Sequence, residues 1–305
     1  MLTFERYEMP ATLPEALALW AEAPAGARLV AGATDILPWA REGRAGDVDL
    51  PLGIDLSRVA ELRGYERHGA RVRLGANTVW QDFLDDPRLA RWLPVMPYCS
   101  VWFADDQIRQ QATLAGNLVN ASPAADGTPP VLALNGELEL RRWAGDHIMC
   151  RTMRVEDFVT GPGATRLAPG EIVNSVTLDC TEGYGASFQK VGLRRSLVIS
   201  VACVAALVKL DETGTRFEDV RLAMGGVGPV PERLRDIEDR LKGAALDARL
   251  IAEVAEAAAA RVASRSRVEY RRRVVPGFVR AALEEAAERA RTAPQAAGLK
   301  EALNA

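Results

Sequence analysis

Cysteine is scarce in this chain and widely scattered: Cys99, Cys150, Cys180 and Cys203 are the four among 305 residues. None forms a Cys-x-x-Cys pair, so the spacing offers no iron–sulfur or zinc site and reads as reduced thiols rather than a disulfide framework. Redox clusters, if the protein works with any, belong to another chain. Histidine is scarcer still. His68 and His147 stand far apart in polar surroundings, the pattern of solvated residues rather than metal ligands. A charge excess is also missing: 38 Lys+Arg against 41 Asp+Glu leave a net charge of −3, which argues against a nucleic-acid partner. No run approaches the roughly eighteen apolar residues of a membrane span, and Met1-Leu2-Thr3-Phe4-Glu5-Arg6 lacks the basic and apolar parts of an export signal. The expectation is a cytoplasmic protein without a membrane span. No Ser/His/Asp or Cys/His constellation is readable, so no side chain is assigned as catalytic. With 48% hydrophobic and 26% charged residues, the composition is globular and the length allows two or three domains.

What the chain does have is a run of small residues, hydroxyls, amides and one carboxylate from Ala112 to Asp126: Ala-Thr-Leu-Ala-Gly-Asn-Leu-Val-Asn-Ala-Ser-Pro-Ala-Ala-Asp. Such side chains bury little apolar area. Their backbone can approach another body closely, and Thr113, Asn117, Ser122 and Asp126 can hydrogen-bond a polar ligand such as a pyrophosphate or a polyol. An earlier stretch, Leu29-Val30-Ala31-Gly32-Ala33-Thr34-Asp35-Ile36-Leu37, has the same character between a strand pattern and a helix pattern. Two phosphate-friendly turns therefore lie in the N-terminal half.

Around these turns the pattern is mixed. Thr12-Leu13-Pro14-Glu15 reads as a capping box opening an amphipathic helix. Ala27 to Val30 and Val48 to Ile54 read as strands, with a helix from Asp35 to Glu42 between them. Arg71 to Gly75 alternates as a half-exposed strand, after which Asn77-Thr78 is expected to cap a helix through Trp80, Phe83 and Leu84. Glu137 to Arg141 and Ile172 to Leu178 are further strands, and Val131 to Leu134 is a helix end or buried run. Beyond Tyr184, two strands flank the basic turn Gly192-Leu193-Arg194-Arg195, a third runs from Val220 to Met224, and an alanine-rich helical region from Ala244 to Ala290 is interrupted at Pro276-Gly277. The expected divisions are residues 1–56, 57–178, 179–290 and a tail, 291–305.

The two turns, in this order and about eighty residues apart, resemble those of the flavin-binding medium chains of molybdenum hydroxylases of the carbon monoxide dehydrogenase and xanthine dehydrogenase type. Gln107-Ile108-Arg109, Ala121 to Asp126, Lys190 with Arg194-Arg195, Gly225-Gly226-Val227-Gly228-Pro229 and Tyr270-Arg271-Arg272 add to the likeness. The resemblance implies an α+β fold: a two-subdomain α/β FAD-binding region of PCMH type, then a small antiparallel sheet with a helical layer. It also implies FAD in this chain, molybdopterin in a large partner subunit and two [2Fe-2S] clusters in a small one, assembled as a dimer of heterotrimers. On that likeness the chain takes electrons from the clusters and passes them to NAD⁺, dioxygen or a quinone.

The same likeness assigns residues. Leu29, Val30, Ala31, Gly32, Ala33, Thr34, Asp35 and Ile36 form the first cofactor turn, with backbone N–H groups aimed at the pyrophosphate and the Thr34 hydroxyl adding a bond. Thr113, Leu114, Ala115, Gly116 and Asn117 hold its other side and the ribityl chain, with Ser122 in the same loop and Asp126 accepting from hydroxyls. Phe103 packs against the cofactor, Val173 touches it, and Lys190 sits near the flavin ring, where a cation stabilises negative charge on the reduced isoalloxazine. Plainer readings stand beside these: Thr34 or Asp35 as a helix N-cap, Asp126 as the N-cap before Pro129-Pro130-Val131, Phe103 as core, and Lys190 as a solvated strand residue.

Some positions depart from the family pattern. Ala33 and Ala115 stand where a second glycine is usual, Gln110 and Ala112 replace an Asn and a Gly, and Val198 stands where an Asp often follows the double arginine. Alanine costs little unless φ must be positive. The rivals to an electron-transfer subunit are a flavin-free structural subunit, docking through the arginines at 265, 267 and 271–273 if these are not merely a solvated helix face, and a stand-alone flavin oxidase. The oxidase would need more chain for a substrate cap, and often a histidine or cysteine for covalent flavin attachment.

Overall fold

In the computed structural model, residues 2–44, 46, 48–194, 197–264 and 266–292 are described. Arg195, Arg265 and the tail from 293 onward, which the sequence reading invoked, lie outside them. The first unit is a parallel sheet ordered β1 (Thr3–Glu8), β3 (Asp49–Asp55), β2 (Arg28–Val30), with helices α1 (Leu13–Ala21) and α2 (Ile36–Arg41) in the connections. At the start of α1, Thr12 Oγ1 accepts from Glu15 N at 3.4 Å, and Glu15 Oε2 accepts from the amide of Ala11, one residue before the cap, at 2.9 Å. Strand β1 carried no readable alternation because most of its side chains are exposed; backbone pairing with β3 makes it a strand.

The second unit starts with the hairpin β4 (Tyr65–His68) and β5 (Arg71–Gly75), and then winds through α3 (Asp82–Asp85), α4 (Pro87–Trp92), α5 (Val95–Trp102), α6 (Asp106–Arg109), α7 (Leu114–Asn120) and α8 (Thr128–Ala133). It closes with β6 (Glu137–Trp143), β7 (Ile148–Arg154), α9 (Val155–Phe158), the small hairpin β8 (Val159–Gly161) and β9 (Ala164–Thr165), and β10 (Glu171–Asp179). The main sheet is ordered β4-β5-β10-β6-β7 and is antiparallel throughout. The expected helix through Trp80 is absent. Trp80 N instead donates to Ala112 O and Leu114 N to Thr78 O, so residues 78–80 pair across a bridge with the second turn, and only the short α3 follows. Tertiary pairing overrides the local capping signal, and it brings the second turn against the fully buried Trp80 and Phe83.

The third unit is an antiparallel meander, β11 (Gly185–Val191), β12 (Ala202–Leu210), β13 (Phe217–Gly225) and β14 (Glu232–Arg233), covered by α10 (Arg235–Leu241), α11 (Ala248–Ala258) and α12 (Val268–Thr292). Strand β12 reads as a nearly continuous apolar run because both its faces are covered. Cys203, Ala205 and Leu207 join the core of the second unit, while Val204, Ala206 and Val208 pack with the helices. Helix α12 runs through Pro276 without interruption, contrary to expectation. A proline inside a helix loses one backbone bond, and the buried row Val275, Val279, Ala282, Leu283, Ala286 and Ala287 offsets that loss. Among the described residues no helix is long and apolar enough to cross a membrane.

Candidate functional site

The first turn leaves β2 and the second leaves the bridge at Thr113, and the two touch. A Cβ built on Gly32 would stand 2.0 Å from the carbonyl oxygen of Gln111, so only glycine admits this approach. Gly32 thus clears space for the other turn. The turns wall a cleft of about 860 Å³, within the upper part of the range for ligand pockets. Among the described residues no acceptor takes the amides of Gly32, Ala33, Thr34, Asp35 and Ile36, nor those of Thr113 and Ala115. Residues 32–35 are half-buried, and Ile36 and Ala115 stand in the first turns of α2 and α7, where amides lack an intrahelical partner; gathered at one cleft, these donors suit an acceptor-rich ligand.

The two alanines behave differently. Ala33 sits at φ +55°, in the left-handed region, which costs a non-glycine residue roughly 1–2 kcal/mol. Ala115 lies within α7 and carries no such strain. Ala104 (φ +48°) and Leu197 (φ +49°) also line the cleft, so left-handed backbone gathers here, as at many ligand sites. Neither Thr34 nor Asp35 caps α2 through its side chain. In the second turn Thr113 is an N-cap, its Oγ1 accepting from Gly116 N at 3.0 Å. Ser122 Oγ accepts from Ala124 N at 3.3 Å. Asn117 lines the cleft, and its Oδ1 is buried without a partner among the described residues.

All eight residues Leu29 to Ile36, together with Phe103, Thr113, Ala115, Gly116, Asn117, Ser122, Asp126 and Val173, line this one cleft. Two expected residues do not. Leu114 is fully buried core, contributing an amide that donates to Thr78 O. Lys190 lies behind the wall: its Nζ meets Asp126 Oδ2 at 2.5 Å and donates to Trp102 O at 3.2 Å. It is therefore neither a solvated strand residue nor a cation facing the cleft. Asp126 is correspondingly committed, its other oxygen accepting from Ser200 Oγ at 2.5 Å. It caps no helix, since Gly127 precedes α8 without a side-chain bond. Burial pushes the Asp126 carboxyl up while the Lys190 ammonium pulls it down, and burial prevails.

Phe103 is half-buried and stacks on Trp80, with centroids 4.4 Å apart and planes 14° from parallel. Arg109 fixes it from below, donating from Nη1 to Phe103 O at 3.1 Å and from Nε to Gln81 Oε1 at 3.2 Å. Sequence reasoning gave no role at the site to Ser200, Leu197, Ile199 or Trp39, and named Val198 only as a departure from the family pattern. Ser200 carried no signal, being 74 residues from its partner Asp126. Leu197, Val198 and Ile199 line the cleft mouth, just beyond the basic turn read at residues 192–195. Trp39, also lining, carries the Arg44 guanidinium 4.2 Å from its ring centroid.

Residues 2–178 match the family described as the FAD binding domain in molybdopterin dehydrogenase, and residues 187–286 match the carbon monoxide dehydrogenase flavoprotein C-terminal domain. The chain is 30% identical over 269 residues to the xanthine dehydrogenase FAD-binding subunit of Escherichia coli, covering 87% of this chain and 89% of that one. It is 31% identical to the nicotine 6-hydroxylase medium subunit of Paenarthrobacter nicotinovorans, covering 93% and 98%. Among solved structures, a carbon monoxide dehydrogenase from Hydrogenophaga pseudoflava superposes with a TM-score of 0.86 at 25% identity, covering 95% of this chain and 99% of the other.

Proposed function

Because this chain belongs to the family of FAD-binding subunits of molybdopterin dehydrogenases, we propose that it is the electron-transfer subunit of a multi-chain molybdenum hydroxylase. It accepts electrons from [2Fe-2S] clusters of a small partner and hands them to an external acceptor, while a large partner holds the molybdopterin and oxidises the substrate. The assembly is a dimer of heterotrimers in the cytoplasm. Residues 1–56 and 57–178 form the two halves of the cofactor region, residues 179–290 the C-terminal domain, and residues 291–305 its tail.

The observation that carries this reading is the pair of touching turns, which gather unpartnered amides at one cleft. Those groups fit FAD. Amides of residues 32–36 and of Thr113 and Ala115 suit a pyrophosphate, which accepts and cannot donate when ionised. Phe103 offers an aromatic face and Val173 an apolar contact. Leu29, Val30 and Ala31 bring the first turn into place, and Gly116 and Ser122 keep the second turn's wall thin. Lys190 and Asp126 hold the wall rather than the ligand. When bound, FAD supplies the exchange between two-electron and one-electron carriers; the protein binds it, orients it and keeps water from its buried side.

Absorbance of the purified chain, with the cofactor identified after acid release, tests the proposal. About one FAD per chain is expected. A chain that stays colourless after incubation with FAD would leave the flavin-free scaffold, with the strain at Ala33 as its cause.

A further inference from the structure

Two sequence features remain unexplained by the cleft itself: the glycine run Gly225 to Pro229 and the arginines at 271 and 272. The structure joins the first of them to Arg271. Its side chain is nearly buried in the first turns of α12. Its Nη1 donates to the carbonyl oxygens of Val201 and Gly226, and its Nε to Ser266 O at 2.9 Å. No carboxylate pairs with it among the described residues. Burial, with Arg267 nearby, lowers the affinity of the guanidinium for its proton. Arg271 Nη2 also donates to Ser266 Oγ at 3.4 Å; a buried cation held by neutral oxygens alone is an uncommon solution, and the carbonyls of Val201 and Gly226 belong to segments that reach the cleft.

From Val201 the chain leads back through Ser200, whose hydroxyl holds Asp126, to Leu197, Val198 and Ile199, which line the cleft mouth. From Gly226 the amide donates to Pro123 O at 2.7 Å, in the loop between Ser122 and Asp126. Gly226 has φ +76°, and a Cβ there would stand 2.8 Å from Val201 O, so the two carbonyls share one guanidinium because glycine lets the segments meet. Resting on the FAD reading, we propose that Arg271 is a positioning residue for the cofactor. By gripping Val201 and Gly226 together it sets where the wall at 122–126 and the mouth at 197–199 stand. The third unit thereby shapes a site whose amide donors all come from the first two.

The test is FAD titration of the full chain, with visible circular dichroism of the bound flavin as the readout of its orientation. Arg271→Ala is expected to bind FAD about tenfold more weakly and to give an altered flavin dichroism. Millimolar ethylguanidinium, which can reoccupy the vacated space, restores both, and ethylammonium, with no planar fork, does not. Arg271→Lys, which keeps the charge, folds and sits between the two. Wild-type affinity and dichroism in both variants would overturn the proposal, as would a loss of FAD that tracks loss of folded protein and is not rescued. Failure of the wild-type chain to take FAD at all would sink the FAD reading instead, a distinct result seen before any variant is made.

Discussion

The two cofactor turns look alike in sequence, each built of small residues with an alanine where the family has glycine, yet they are held in opposite ways. The first is poised by its backbone: Ala33 is left-handed, α2 lacks a side-chain cap, and residues 32–36 spend their amides on no described acceptor. The second is held by its side chains: Thr113 caps α7, residues 112–114 bridge to 78–80, and Asp126 is locked by Lys190 and Ser200. A single composition thus serves one turn that stores strain and one that is cross-braced.

Substitutions sharpen this contrast. The largest effect is expected from Asp126→Ala, which strands the buried Lys190 ammonium. Breaking such a pair lowers stability by about 3–5 kcal/mol, read from urea unfolding; a loss under about 1 kcal/mol would show that the second turn is not braced as described. Next comes Gly32→Ala, whose methyl meets Gln111 O. Overpacking of this kind costs about 1–3 kcal/mol, and by prising the turns apart it should also weaken FAD binding in a fluorescence titration.

Smaller, and of opposite sign, are the glycine replacements. Ala33→Gly relieves the left-handed strain but adds freedom to the unfolded chain, for a net gain of up to about 1 kcal/mol. Ala115→Gly, in the first turn of α7, loses up to about 1 kcal/mol. Equal shifts in melting temperature would erase the distinction between the turns. The smallest effect concerns Asp35, whose carboxyl burial pushes above its ordinary range, against the pull of Arg44. A group raised in the folded state contributes stability that is complete below its unfolded pKa and disappears as pH rises through the folded one. Asp35→Asn should therefore stabilise the chain at neutral pH and change nothing in acid, as urea midpoints at the two pH values will show.

Sequence legibility followed the range of the interactions. Strand β5 was readable to the residue because its alternation is local, and the first turn was readable because a strand, a glycine and a helix succeed one another within ten positions. Trp80 was misread because its backbone partner, Ala112, lies 32 residues on. Pro276 was misread as a break because the apolar row that carries α12 past it is buried against β11 and β12. Residues Leu29 to Ile36 were found together, and so were Phe103, Thr113 and Asn117. Lys190 was placed in the neighbourhood of the cleft, but no local pattern records that its ammonium turns toward Asp126.

The contact between Gly32 and Gln111 bears on kinetics. Halves that already touch need no closing movement to bring the two turns together around a guest. Association should then be a single phase, linear in FAD concentration and free of the plateau that a slow closing step imposes, and the lifetime of the complex should be set by how readily the mouth at 197–199 lets go.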